Sequence, residues 1–132
     1  MKLLCVLRLI GTKLDDRAIT EVMKPIEYYR LDRAGEGKAS SDCLYIDVAE
    51  GDTKGELLEG LTRFLSQHEP SLLRLSADPT IMERNLDIGL IVDEEQMSMS
   101  LDLDERLIAQ VHKLNLSVSI AFYKSSREGT LH

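Results

Sequence analysis

The chain of 132 residues has no tryptophan, only two cysteines and only three prolines. Cys5 and Cys43 do not form the dense cysteine framework of small secreted domains, so we interpret them as reduced thiols in strands. No apolar run approaches the ~18 residues that a membrane helix needs. The N-terminal MKLLCVLRLIG is broken by Arg8 after a short apolar run, which is not typical of a signal peptide. These absences predict a cytoplasmic protein that does not enter a membrane.

Basic residues are almost missing from one part of the chain. The formal net charge is −7, and the segment 83–105 contains many acids with Arg84 as its only basic residue. Such a surface repels phosphate backbones and anionic lipids, which argues against nucleic-acid or membrane binding. A basic protein partner would be attracted to it.

Length and composition favour one soluble globular domain over residues 1–132, because 43% hydrophobic and 30% charged residues are ordinary for such proteins. In the first third, the apolar run at 3–10 predicts a strand and the helical spacing at 14–24 predicts a helix. The polar run at 27–42 has two glycines and no clear period, and it predicts a long loop of the kind that often carries function.

Local patterns predict the remaining elements. Alternation predicts strands at 43–48 and 116–123, and Thr53 with Glu56 forms a capping-box pattern that starts a helix ending at Pro70. We also expect a short strand in LLRL at 72–75, a hairpin of strands 85–92 and 97–101, and a helix at 104–113. The order β-α-β-α-β-β-β-α-β predicts an α+β two-layer sandwich: a mainly antiparallel or mixed sheet with helices packed on one face.

One pattern occurs twice, as LDDRAITEVMK at 14–24 and LDERLIAQVHK at 103–113. Each copy places an aspartate, Asp15 or Asp104, where a helix N-cap is expected. The leucine before it and the isoleucine four residues after it hold the positions of a hydrophobic staple. We therefore interpret the repeat as two similar helix starts and not as a catalytic site.

The predicted loop at 27–42 carries a cluster of aromatic and basic residues in an otherwise acidic chain. Tyrosine and arginine dominate binding hot spots because they combine large contact area with directional donors. The alternative is that the tyrosines fold back on the edge of the domain. The candidate binding residues are Tyr28, Tyr29, Arg30, Arg33 and Lys38.

Motifs for metal, cofactor or catalysis are absent from the sequence. His68, His112 and His132 are scattered and belong to no metal-spaced pair. No serine lies in G-x-S-x-G, and GTKLDD at 11–16 lacks the phosphate-loop pattern. We therefore predict no metal site, no cofactor and no catalytic residues.

The order of parts resembles a family of small bacterial domains of unknown function. The matching parts are VLRLIGTKLDDRAI, the variable loop at 27–42, and LDERLIAQVHKLNLSVSIAFY. Members usually have a proline and a tryptophan around the loop and the second strand, whereas this chain has Tyr45 in that strand and no tryptophan. The resemblance implies this fold and a bacterial cytosolic setting, and it implies no reaction.

These observations lead to two hypotheses of function. The first is a non-catalytic cytoplasmic protein whose loop at 27–42 and acidic segment 83–105 bind a basic protein partner, in the manner of an immunity protein that neutralises a toxin. The alternative is a small-molecule sensor or an enzyme with a pocket between that loop and the sheet.

We also expect a homodimer formed through a flat sheet face of small serines or through an adjoining strand edge. The serines are Ser98, Ser100, Ser117 and Ser119. Arg8 and Asp47 are expected to project from the same face.

Overall fold

The computed structural model describes residues 2–12, 14, 29–32, 35, 41–93 and 100–125. Over these residues the chain forms an α+β sandwich of one mixed five-stranded sheet and three helices. The elements in chain order are β1 (Lys2–Gly11), β2 (Tyr29–Asp32), β3 (Asp42–Gly51), α1 (Lys54–Gln67), α2 (Glu69–Ser76), β4 (Ile81–Asp93), α3 (Glu105–Lys113) and β5 (Ser117–Ser125).

The sheet has the strand order β2-β3-β1-β4-β5. The central strand β1 is antiparallel to both β3 and β4, so β3 and β4 run in the same direction with β1 between them. This is a split β-α-β unit, in which α1 and α2 carry the chain across β1. At one edge β5 pairs with β4 in parallel, and α3 supplies the crossover that parallel strands require.

The core lies between one face of the sheet and the three helices. Alternate residues of β1, from Leu3 to Leu9, are buried on this face, and α1 contributes the predicted stripe of Leu57, Leu61, Phe64 and Leu65. Leucines of α2 and α3 join the same cluster. Burial of one apolar stripe from each helix therefore defines the helix-covered face of the sheet, and the prediction of fold class is confirmed.

Local capping residues start two of the helices as the sequence predicts. The Thr53 hydroxyl accepts a hydrogen bond from the Glu56 backbone N–H at 3.1 Å, and the Asp104 carboxylate accepts one from the Leu107 N–H at 2.9 Å. Leu103 packs against the core, whereas its predicted staple partner Ile108 is 54% exposed. In the other copy of the repeat Leu14 is buried, whereas Asp15 and Ile19 lie outside the described residues.

The prediction of an uninterrupted loop at 27–42 is wrong, because β2 forms within it. Leu31 pairs with Leu44 across the β2–β3 ladder and packs against the core, while Arg30 and Asp32 point to the opposite face. Four residues are too few for alternation to be recognised in the sequence. Pairing with the edge of β3 supplies the hydrogen bonds that make this short segment a strand.

The predicted strand at 72–75 is also wrong, because this segment lies in α2. Leu72 and Leu75, three residues apart, are buried while Leu73 between them is exposed, which is a helical pattern. Pro70 does not end α1, which already ends at Gln67. It lies in the first turn of α2, where its missing N–H removes no helical hydrogen bond.

The predicted hairpin of 85–92 with 97–101 is not formed in the described part of this region. Ser100 and Leu101 belong to no strand, and residues 97–99 lie outside the described residues. The strand β4 is longer than predicted, and its two edges are occupied by β1 and β5. A hairpin partner would have to displace β5 from the same hydrogen-bonding edge.

Candidate functional site

The face of the sheet opposite the helices, here called the open face, carries the second set of alternating side chains. The described helices all pack on the other face. Cross-strand pairing places Arg8 of β1 and Asp47 of β3 on the open face, as the sequence predicts. Tyr123 of β5 also lies on this face, 54% exposed and with its ring against Gly89.

One row of side chains crosses the whole open face at right angles to the strands. The register pairs each member with the next, from β2 through β3, β1 and β4 to β5. This cross-sheet row consists of Arg30, Tyr45, Arg8, Asn85 and Ser117. The row brings together residues from five separate parts of the chain.

At the β2 end of the row, the Arg30 guanidinium carbon lies 4.2 Å from the centroid of the Tyr45 ring. Its Nε is also 3.5 Å from a carboxylate oxygen of Asp32. A guanidinium stacked on a tyrosine is a cation–π contact, worth roughly 0.5–1 kcal/mol at an exposed site. The two contacts hold Arg30 in place while leaving its side chain 66% exposed.

Carboxylates flank the cross-sheet row on both sides. Asp47 and Asp87 are both opposite Val6 in the register, two residues from Arg8 along the strand. On the other side, Asp32 pairs with Cys43 and Glu83 pairs with Ile10. Four carboxylates thus surround two arginines, and the described residues of the open face are acidic in sum.

The middle of the row contains two buried N–H groups without partners. Asn85 is only 4% exposed, and its Oδ1 accepts hydrogen bonds from the Ser117 and Ser119 hydroxyls at 2.9 and 3.2 Å. Its Nδ2 has no hydrogen-bond partner among the described residues, and neither does Nε of Arg8 on the neighbouring strand. An unsatisfied buried donor is unfavourable by about 1–3 kcal/mol.

The candidate binding residues from the sequence are placed only in part. Arg30 lies on the open face as described, and Tyr29 lies in β2, although its side chain is not described. Tyr28, Arg33 and Lys38 lie outside the described residues. Sequence reasoning missed Tyr45 and Asn85. Besides the candidate Arg30, the signal for the row was Arg8, a charge inside an apolar strand.

The described acidic side chains of the segment 83–105 fall into two groups. Glu83 and Asp87 of β4 belong to the open face, whereas Asp102 and Glu105 are exposed around the start of α3. Asp104 is used as the N-cap of that helix. Only the first group adds to the charge around the cross-sheet row.

The two thiols are free and lie on opposite faces of the sheet. Burial, with a smaller contribution from the Asp87 carboxylate, raises the pKa of the Cys5 thiol to about 12. That thiol is protonated at neutral pH and is therefore a poor nucleophile. Burial lowers the pKa of His68, whose ring lies against Phe64 with centroids 4.6 Å apart.

Three cavities are lined by described residues, and none of the three is bordered by β2. One of about 450 Å³ lies between the end of β3 and α1, and an apolar one of about 220 Å³ lies between α3 and the sheet. The third, of about 340 Å³, is on the open face and includes Arg8 and Asn85. The expected pocket between the loop at 27–42 and the sheet is not among these three.

Within the described part of the chain, no three histidine, cysteine, aspartate or glutamate side chains are grouped closely enough to hold a metal ion. No described helix is both long and apolar enough to cross a membrane.

Comparison of the chain with protein-family models, curated proteins and solved structures finds no match. The resemblance to a family of small bacterial domains therefore stays a prediction.

Proposed function

We propose that this protein is a non-catalytic binding protein whose open face binds a basic surface of a partner protein. The observation that carries the proposal is the cross-sheet row, in which the exposed Arg30 and the partly buried Tyr45 and Arg8 are surrounded by four carboxylates. A partner rich in lysine or arginine would find complementary charge around a centre of hot-spot residues.

The two parts of this surface would have different roles in binding. The Arg30–Tyr45 stack and Tyr123 offer rigid, partly apolar contact area that loses little side-chain entropy when it is covered. The carboxylates, including Asp47 and Asp87, would mainly raise the rate of association by electrostatic steering. We further propose a cytoplasmic setting, which is supported by two free thiols that cannot pair with each other.

Affinity capture from a lysate of the native host tests the proposal with two variants of equal charge. The first, Asp47→Asn with Asp87→Asn, neutralises two carboxylates of the open face. The control, Asp52→Asn with Asp102→Asn, neutralises two exposed carboxylates outside it. We expect the wild type and the control to retain a basic protein, and the first variant to retain at least tenfold less of it. The amount captured should be larger at low salt.

A captured protein counts as the partner only when it shows this difference between the two variants. If every captured protein is retained equally by both variants, the open face is not the binding surface. If nothing is specifically retained at either low or moderate salt, the proposed function is wrong.

We also propose a homodimer, formed through the outer edge of β5. The predicted face of four serines is not formed as expected, because Ser100 is in no strand, and Ser98 lies outside the described residues. In the described sheet β5 is an edge strand, and Ile120, Phe122 and Tyr123 are all exposed on it. An uncovered apolar edge is a template for pairing with a second chain.

Two copies of β5 are compatible with antiparallel pairing around a two-fold axis. Centring the pair on Ala121 would set Phe122 of one copy opposite Ile120 of the other, and Lys124 is the only charged residue of the strand. No like charges would face each other near the axis.

Sedimentation at tens of micromolar protein tests the homodimer. We expect the wild type to sediment with twice the chain mass of 14.9 kDa, and Phe122→Lys to sediment with the mass of one chain. Leu73→Lys, which changes an exposed leucine of α2 in the same way, should remain dimeric. A wild type that sediments as a monomer would contradict the proposal.

A further inference from the structure

The cavity of about 340 Å³ on the open face, here called the open-face pocket, has the features of a small-ligand site. It lies beside the cross-sheet row where β1, β4 and β5 come together. Its lining includes Arg8, Met82, Glu83, Asn85, Ser117 and Ser119. A cavity of this size is near the lower end of the range for ligand pockets, which is about 300–1,000 Å³.

Two residues that line the open-face pocket carry hydrogen-bond donors that the described chain does not use. Asn85 Nδ2 and Arg8 Nε are both buried and unpartnered, and the two residues are directly opposite each other in the β1–β4 register. Asn85 is itself 4% exposed, so water reaches it poorly. A group with more than one acceptor oxygen could accept from both of these neighbouring donors at once.

A carboxylate is the acceptor that fits these donors best. A guanidinium binds a carboxylate through charge-assisted hydrogen bonds, and the amide of Asn85 can add a further donor to the same group. Arg8 forms no hydrogen bond or ion pair with any described residue, so its positive charge is available.

Glu83 on the same pocket lining restricts the ligand further. Its carboxylate is exposed, and it would repel a phosphate or a dicarboxylate. The same carboxylate would attract an ammonium group. The pocket therefore combines donors for a carboxylate with an acceptor for an ammonium, and the thioether of Met82 adds an apolar portion to the lining.

We propose that the open-face pocket binds a free α-amino acid in its zwitterionic form. The α-carboxylate is held by Arg8 and Asn85, and the α-ammonium faces Glu83. Ser117 and Ser119 fix the Asn85 side chain by donating to its Oδ1. This inference does not depend on the proposed protein partner, because it rests on the pocket and not on the carboxylates Asp47 and Asp87.

A different arrangement would satisfy the same groups without a ligand. If the Asn85 amide turned by 180°, its Nδ2 could donate to both serine hydroxyls, which accept as well as donate. Its Oδ1 could then accept from Arg8 Nε. Under this arrangement the pocket has no unpartnered donor and would hold only water, so ligand titration separates the two possibilities.

The experiment is a titration of ¹⁵N-labelled full-length protein, monitored by NMR, with each of the twenty free L-amino acids up to 10 mM. We expect at least one amino acid to shift, in a saturable manner, the backbone amide resonances of Ser117 and Ser119 and the side-chain amide resonances of Asn85. The control probes are acetate, which lacks the ammonium group, ethylamine, which lacks the carboxylate, and inorganic phosphate, which lacks both. All three should bind at least tenfold more weakly.

Three variants assign the roles of the lining residues. Arg8→Gln should weaken binding of the amino acid at least tenfold. Glu83→Gln should also weaken binding of the amino acid, while binding of acetate should be unchanged or stronger. Arg63→Gln, which removes an exposed positive charge of α1 on the other side of the sheet, should bind like the wild type. The wild-type titration decides the matter even if Arg8→Gln does not fold.

The remaining outcomes overturn the proposal. If no amino acid at 10 mM shifts these resonances, the Asn85 amide is turned by 180° and the pocket holds only water. If acetate binds as well as the amino acids, the pocket does not recognise a zwitterion. If binding shifts only amides elsewhere in the chain, the site is not this pocket.

Discussion

Replacing Leu7 by alanine is expected to lower the free energy of unfolding by about 2–5 kcal/mol. Leu7 is fully buried in the middle of the central strand β1, and the register places it between Ile46 of β3 and Leu86 of β4, which are also fully buried. The sheet cannot close around the missing side chain without breaking two ladders, so a cavity should remain. Urea denaturation followed by circular dichroism measures the loss.

Leu4→Ala is the matched control for this prediction, because Leu4 lies on the same strand and points to the open face. Its side chain is only partly buried, so the expected loss is about 1 kcal/mol or less. Equal losses for the two variants would contradict the assignment of faces and would mean that the open face is covered. The pair therefore tests the fold and the candidate surface together.

Features decided by neighbouring residues could be predicted from the sequence. The caps at Thr53 and Asp104 are of this kind, because side chain and partner N–H are three residues apart. The buried stripe of α1 follows in the same way from the 3.6-residue period. The strand β1 could likewise be predicted from its apolar run at 3–10, and β3 from its alternation.

Features decided by distant pairing could not be predicted. The tetrapeptide of β2 becomes a strand only because β3 offers a free edge, and no local pattern in Tyr29–Asp32 indicates it. The position of β5 depends on the α3 crossover, which returns the chain to the edge of β4 in a parallel direction. From the sequence alone, the adjacent apolar segments 85–92 and 97–101 predict an antiparallel hairpin, because antiparallel pairs are commoner than parallel ones.

The candidate site was predicted least completely, for the same reason. The members of the cross-sheet row become neighbours only when the register of all five strands is known, because they come from separate parts of the chain. A shift of one residue in any ladder would move its member to the helix-covered face. Of the row, only Arg30 is a candidate binding residue from the sequence, and for Arg8 the sequence predicts only the face to which it points.

Gly11→Ala is the second substitution expected to have a large effect, a loss of about 1–3 kcal/mol or more. Gly11 is buried at the end of β1, where the register with β4 shifts. A Cβ at this position would lie 2.5 Å from the Thr80 backbone oxygen and 2.8 Å from a methyl carbon of Leu14. The Thr80 oxygen also accepts the Thr12 N–H at 3.1 Å, so the two strands must separate to admit the methyl group.

Gly55→Ala makes the same chemical change at a position with free space. The nearest atom to its added Cβ is the Thr53 hydroxyl oxygen at 4.0 Å, and Gly55 lies in the first turn of α1. Alanine should stabilise the helix there by up to about 1 kcal/mol, because it restricts the unfolded backbone more than glycine does. Thermal denaturation should therefore shift the midpoint downward for Gly11→Ala and upward for Gly55→Ala. Equal midpoint temperatures for the two variants would contradict the close approach of β1 to the turn before β4. That approach fixes one end of the two strands, β1 and β4, that border the open-face pocket.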